Sequence, residues 1–176
     1  MKKKLRKHFK KLRASNENMD DYFIDFLYTL VNKFSNIALY MKIGHEVNLE
    51  KLINKLFLIK NIYLPVVKGK ELEFRKFSGF SSLSFDDANI KAPVNGELID
   101  KNSLDVIVTS CLAANFQGYR LGYGGGYYDR YLKDFHGLKI GVVYENCLTN
   151  TCFQEEKDVP LDILVTEKQI IKIREV

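Results

Sequence analysis

One stretch of fifteen residues constrains this chain more than any other: Gly118-Tyr-Arg-Leu-Gly-Tyr-Gly-Gly-Gly-Tyr-Tyr-Asp-Arg-Tyr-Leu132, with five glycines. An apolar run, Val106-Ile-Val108, precedes it. A helical pattern follows, with Tyr128, Tyr131, Leu132 and Phe135 at i, i+3, i+4 and i+7. Gly137 stands where a C-terminal cap belongs. The spacing thus predicts strand, glycine loop, helix. Glycine admits positive φ and lets backbone come close to a ligand, and a helix start offers unpaired N–H groups, so a phosphate group is the expected ligand. No Gly-Lys-Ser/Thr closes the loop as in a Walker A sequence, and Tyr127 occupies the third glycine position of G-x-G-x-x-G. A plain turn would need one or two glycines, not five beside Arg120, Asp129 and Arg130.

Alternation of apolar runs with helical spacing sets the fold class. Ser15 is placed to cap a helix whose buried face is Phe23, Phe26, Leu27, Leu30 and Phe34. A strand follows over Ile37–Met41, then a helix from about Asn48 with Leu49, Leu52, Ile53, Leu56 and Phe57 inside. Strands are expected over 61–67 and 72–77, mostly loop over 78–103, buried strands over 139–144 and 162–166, and an edge strand over 170–173. The expected architecture is α/β: a single-domain three-layer α/β/α sandwich with a mostly parallel central sheet, spanning all 176 residues. Ligands of such sheets gather at the carboxyl ends of strands. Glu46 and the glycine loop follow strand ends and Pro65 lies near one, whereas Asp158 precedes its strand and is not placed by this rule.

Charge is distributed unevenly. Residues 1–13 hold eight basic side chains and no acid, and without those eight the net charge of +5 becomes −3. Leu5, Phe9 and Leu12 lie at i, i+4 and i+7, so this basic arm is an amphipathic helix. Three uses fit it: a solvated face, a helix for nucleic acid or a membrane surface, or a source of cations for a polyphosphate or carboxylate ligand. Asn16, Glu17, Asp20 and Asp21 follow the basic start where a secretory signal needs an apolar core, and no apolar run approaches the length of a membrane span. Cys111, Cys147 and Cys152 share no metal-binding spacing and read as reduced thiols of a cytoplasmic protein.

The run Arg120-Leu-Gly-Tyr-Gly-Gly-Gly-Tyr-Tyr-Asp-Arg130 closely resembles the signature of the 5-formyltetrahydrofolate cyclo-ligases, also called methenyltetrahydrofolate synthetases. Lys2 to Arg6, Ile37-Ala-Leu-Tyr40 followed by His45-Glu46-Val47, Leu64-Pro65, and Asp158-Val-Pro-Leu-Asp162-Ile-Leu-Val-Thr166 extend the resemblance along nearly the whole chain. It implies an enzyme that uses ATP and Mg²⁺ to convert 5-formyltetrahydrofolate to 5,10-methenyltetrahydrofolate, ADP and phosphate through a phosphorylated formyl group. It also implies a monomer in the cytoplasm, with no nucleic-acid or membrane partner. By position it assigns ATP to Lys2, Lys3, Lys4, Leu5 and Arg6 and to Arg120, Leu121, Gly122, Tyr123, Gly124, Gly125, Gly126, Tyr127 and Tyr128. Folate falls to Glu46, Arg6 and Tyr127, catalysis to Tyr127 and Arg120, and Mg²⁺ to Asp129 and Asp158.

Other readings of the same residues stand beside these. Asp129 can pair with Lys133 at i+4. Tyr127 and Tyr128 can be core aromatics, Tyr128 the more so because it lies on the apolar stripe. Glu46 can be a surface acid. The whole chain can be a basic-armed nucleic-acid binder, another ATP-dependent phosphotransferase or an impaired paralogue. Four positions depart from the family pattern: Ala92, Ser110, Ala114 and Asn115. Ala114 removes an aromatic wall for the pterin or the base, and Ala92 removes an acid for the adenosine sugar, so weaker ground-state binding is expected.

Overall fold

In the computed structural model, which describes residues 1–175, the central strands form where the sequence is apolar on both faces. Val106, Ile107, Val108 and Thr109 are all buried, as an interior strand of a parallel sheet requires. The helices are α1 (Lys2–Ala14), α2 (Asp20–Val31), α3 (Glu50–Leu56) and α4 (Tyr127–Leu132). The strands of the first half are β1 (Asn36–Ala38), β2 (Asn61–Lys68), β3 (Glu71–Lys76), β4 (Ser84–Phe85) and β5 (Lys91–Ala92). Those of the second half are β6 (Val106–Ser110), β7 (Ala113–Asn115), β8 (Arg120–Leu121), β9 (Leu138–Val142), β10 (Leu148–Thr149), β11 (Ile163–Val165) and β12 (Ile170–Lys172).

The main sheet has seven strands in the order β12-β11-β9-β6-β1-β2-β3. Its five inner strands run parallel, and β3 and β12 close the two edges antiparallel. The fold is thus α/β with a large, mostly parallel sheet, as the alternating pattern predicts. Helices α2 and α3 pack on each other and against β11 and β2 respectively, while α4 packs on β3. The order matters for function. From β1 the chain moves to β2 on one side, then returns to place β6 on the other. The carboxyl ends of β1 and β6 therefore diverge into loops on opposite sides, which opens a crevice at the switch point.

Three local expectations are corrected, and a fourth is refined. Ser15 closes α1 instead of opening α2: its hydroxyl donates to the Leu12 carbonyl at 2.6 Å, satisfying an orphan carbonyl of α1. Helix α2 starts at Asp20, whose N–H donates to the Asn18 side chain. The glycine loop does not follow the apolar strand directly. A hairpin, β7 with β8, intervenes, and Asn115 builds its turn by accepting the N–H groups of Gln117 and Tyr119. Helix α4 ends at Leu132 and is not capped by Gly137, because a bond from the Phe135 N–H to the Leu132 carbonyl tightens the chain into a turn. Phe135 is nevertheless buried, so the spacing marks the core correctly. Residues 78–103, expected as mostly loop, contain the β4–β5 hairpin.

Candidate active site

A cavity of 1110 Å³ opens at the switch point. Tyr40, Ile43 and Glu46 reach it from the segment after β1, Ser110 and Leu112 from the end of β6, and Pro65 and Val67 from β2. The glycine loop, Gly122–Gly126, forms another wall with Tyr127, Tyr128, Asp129 and Arg130 of α4. Gly124 and Gly126 hold φ of 107° and 70°, which side chains rarely adopt, and Gly126 caps α4 in the left-handed conformation. Helix α4 has only six residues, too short for a strong macrodipole, so positive charge at the cavity comes from nearby cations.

Those cations come from α1. Lys2 and Arg6 line the cavity, whereas Lys3 and Lys4 are exposed and Leu5 packs against the core, none of the three lining it. Helix α1 is fastened across the loop by polar contacts along one face. The Arg6 Nε donates to the Gly122 carbonyl at 2.8 Å, and the Lys2 ammonium donates to Asp158 at 2.6 Å. Part of the arm's charge thus faces the cavity and part faces solvent.

Asp129 and Asp158 both line the cavity although 29 residues separate them. Asp129 accepts the Val159 N–H at 3.2 Å with one oxygen, and Asp158 accepts the Glu155 N–H at 2.9 Å with the oxygen that also takes Lys2. No ion pair joins Asp129 to Lys133 among the described residues. Nor, among the described residues, does any cluster of three or more His, Cys, Asp or Glu side chains form a metal cage. Two carboxylates that each keep an oxygen without a protein hydrogen-bond partner suit a hard cation that takes carboxylate and water oxygens.

The deeper end is different. Glu46 is 7% exposed, and burial raises its pKa above the usual carboxylate value. The Ser110 hydroxyl, the Ile43 N–H donating at 2.7 Å, Arg13 and Arg120 act in the opposite direction. Burial also pushes the Cys111 thiol up to about 12 and the Tyr128 phenol up further, so both are neutral. The Arg120 guanidinium sits 5.1 Å from the centre of the Tyr128 ring, and its Nε is buried without a partner. Tyr127 stands at the rim: its hydroxyl donates to the Gly69 carbonyl at 3.4 Å, and Arg130 covers its ring at 5.1 Å while donating to the Gly125 and Lys70 carbonyls.

Of the four departures from the family pattern, only Ser110 lines the cavity. Ala114 and Ala92 are fully buried away from it, and Asn115 holds the β7–β8 turn. Sequence reasoning missed the β4–β5 hairpin, which supplies Asp86, Ala88, Ile90 and Lys91 to the cavity wall. Asp86 folds it by accepting the N–H groups of Ala88 and Ile90, and ties it to β2 by accepting that of Val67. Arg13 was also missed, although Lys2, Arg6, Phe9 and Arg13 fall at i, i+4, i+7 and i+11, a single helix face.

The family model for 5-formyltetrahydrofolate cyclo-ligases matches residues 2–167. The chain belongs to the 5-formyltetrahydrofolate cyclo-ligase family of enzymes. It is 34% identical over 140 residues to the cyclo-ligase of Haemophilus influenzae, covering 74% of this chain and 75% of that one. The cyclo-ligase of Escherichia coli is 29% identical over 143 residues, covering 76% and 79%. Among solved structures, the 5,10-methenyltetrahydrofolate synthetase of Aquifex aeolicus superposes with a TM-score of 0.89 at 33% identity, over 99% of this chain and 94% of that one. A Mycoplasma pneumoniae synthetase shares the cyclo-ligase fold at a TM-score of 0.76 and 23% identity, over 98% and 99% of the two chains. No helix among the described residues is long and apolar enough to cross a membrane.

Proposed function

We propose that this cyclo-ligase converts 5-formyltetrahydrofolate and ATP to 5,10-methenyltetrahydrofolate, ADP and phosphate. The observation that carries the reading is one cavity with two chemically distinct ends. Its 1110 Å³ exceeds the roughly 300–1,000 Å³ typical of one drug-sized ligand, and so suits two co-substrates at once. One end has Lys2, Arg6 and the glycine-loop amides for a polyphosphate. The other has Glu46, a buried acceptor suited to the N–H donors of a pterin ring.

A formyl oxygen on nitrogen is a poor leaving group. In the proposed first step it attacks the γ-phosphorus, the bond to the β-bridging oxygen breaks, and ADP departs. The second folate nitrogen then bonds to the formyl carbon, the carbon–oxygen bond breaks, and the proton of that nitrogen leaves with the phosphate. Catalysis is mostly positioning and charge neutralisation. Lys2 and Arg6 neutralise the phosphates. Arg120 presents its guanidinium to the cavity, where charge moves between phosphate and folate. Tyr127 donates its phenol proton to a phosphoryl oxygen after giving up the long bond to Gly69. Asp129 and Asp158 would hold Mg²⁺, which supplies charge neutralisation to the polyphosphate when bound. The enzyme is read as an intracellular monomer whose partners are these two substrates. Mixing the protein with MgATP and 5-formyltetrahydrofolate and following methenyl absorbance tests the reading; no absorbance change, with the relatives' activity as control, would overturn it.

A further inference from the structure

Arg130 of α4 is exposed and lines the cavity, and no carboxylate pairs with it among the described residues. Its donors go to backbone carbonyls instead. Nη1 donates to Gly125 at 2.9 Å, and Nη2 donates at 2.6 Å to Lys70, 60 residues away in the chain. The same guanidinium lies 5.1 Å from the centre of the Tyr127 ring. One planar group thus joins the glycine loop, the turn between β2 and β3, and the Tyr127 side chain. The turn is itself fastened, because the Gly69 N–H donates to Asp87 of the β4–β5 hairpin at 2.8 Å. Two glycines of the loop are shaped around the same group. Gly125 has a φ outside the left-handed region, so its backbone does not call for glycine. A Cβ there would stand 2.7 Å from the Tyr127 ring, and one at Gly126 would stand 2.7 Å from the Arg130 Nη1. The Tyr127 ring therefore folds back over the loop, and Arg130 closes against both. The hydroxyl's own bond to Gly69, at 3.4 Å, is too long to fix the ring alone.

We propose that Arg130 is a positioning residue for the chemical step: by clamping the glycine loop to the β2–β3 turn, it holds the Tyr127 phenol where the phosphoryl group is transferred. The inference rests on Tyr127 donating to a phosphoryl oxygen. A guanidinium suits the task. Its fork aims two donors at two carbonyls in fixed directions, and its flat face covers an aromatic ring. An ammonium carries the same charge without the fork or the plane. A role through charge would therefore survive Arg130→Lys, and a role through clamping would not. The cost of losing the clamp falls on rate, since a misplacement of about 1 Å near reacting groups can slow a reaction about 10²-fold.

Single-turnover rates with enzyme in excess, and steady-state KM values for both substrates, test this. The proteins are wild type, Tyr127→Phe, Arg130→Met, Arg130→Lys and the double variant Tyr127→Phe with Arg130→Met, with thermal melts of each. A slowed single turnover in Tyr127→Phe establishes the reading beneath the proposal; a wild-type rate there removes the polar role of Tyr127, and the proposal with it. Given that role, Arg130→Met and Arg130→Lys should both slow the single turnover by about tenfold to a hundredfold. Both KM values should stay within about twofold of wild type, because ground-state binding is untouched. In the double variant the rate should fall no more than about twofold below that of Tyr127→Phe, since the effect of Arg130 passes through the phenol. A wild-type rate in Arg130→Lys would make Arg130 a source of charge only. A raised ATP KM with the single-turnover rate kept would make it a direct phosphate contact, and rate losses that multiply in the double variant would make it independent of Tyr127. Each of these overturns the proposal. Should Arg130→Met fail to fold, Arg130→Lys decides on the same criterion of rate.

Discussion

The Lys2 ammonium and the Asp158 carboxylate, 156 residues apart in the chain, meet at 2.6 Å on the wall of the cavity. Both side chains are largely buried, at 16% and 11% exposure. The pair closes the first helix against the last loop before the final parallel strand. It also brings a phosphate-type cation beside a metal-type carboxylate, an arrangement that suits a metal–polyphosphate ligand better than either group alone.

Lys2→Ala follows from that contact. Loss of one charge-assisted bond to a phosphate should raise the ATP KM about tenfold, with the folate KM changed less than about twofold. Calorimetric titration with each substrate separately checks the selectivity. Equal effects on both would make Lys2 a fastener of α1 and no more.

Asp129→Ala should abolish turnover with the fold retained. The protein contact it loses is one 3.2 Å bond from the Val159 N–H. A bond of that kind contributes about 0.5–1.5 kcal/mol, worth a few degrees at most in the melting temperature of a chain this size. Turnover and thermal melts, both at raised Mg²⁺, are the measurements. Near-normal turnover would remove Asp129 from the metal assignment.

Glu46 carries a stability cost with a defined sign. Its folded pKa is raised above 4.5 by burial, so the native state holds its proton to higher pH than the unfolded chain does. Stability therefore falls as pH rises from about the unfolded value through the folded one. Glu46→Gln removes that dependence. Relative to wild type the variant should melt progressively higher as pH rises from 4.5 toward 8, while its folate affinity falls. Denaturant melts across that range decide it; a stability difference independent of pH would show that Glu46 titrates as it does in the unfolded chain.

The parallel core was legible because its strands are buried on both faces, so Val106–Val108 and Ile163–Val165 read as apolar runs without need of periodicity. The β7–β8 hairpin was not. Ala113–Asn115 and Arg120–Leu121 are too short to show alternation, and the turn depends on the Asn115 side chain accepting two backbone N–H groups. The glycine loop announced itself by composition. The contact between Asp129 and the segment at Val159 depended instead on how that segment crosses the sheet end, which no local pattern records. Arg13 was hidden by its charge: arginine is so seldom buried that a basic residue on a face shared with Lys2 and Arg6 reads as solvated.

Tyr127→Phe separates a polar role from an aromatic one. Tyr127 follows three glycines and lies off the stripe formed by Tyr128, Tyr131 and Leu132, so the core makes only a partial claim on it. Its hydroxyl reaches the Gly69 carbonyl at 3.4 Å, a long bond that costs little to exchange for a phosphoryl oxygen. Arg130, 5.1 Å from the ring centre, is itself held by the Gly125 and Lys70 carbonyls, so the ring keeps its place when the hydroxyl is removed. The substitution should therefore leave ATP affinity nearly unchanged and slow the chemical step. A preorganised donor to an oxygen gaining charge is worth about 2.7–4 kcal/mol, or roughly 10²–10³ in rate. Single-turnover measurements with enzyme in excess isolate that step from product release. A chemical rate equal to that of the wild type would leave the Tyr127 ring as a shelf for the folate, a task phenylalanine performs equally well.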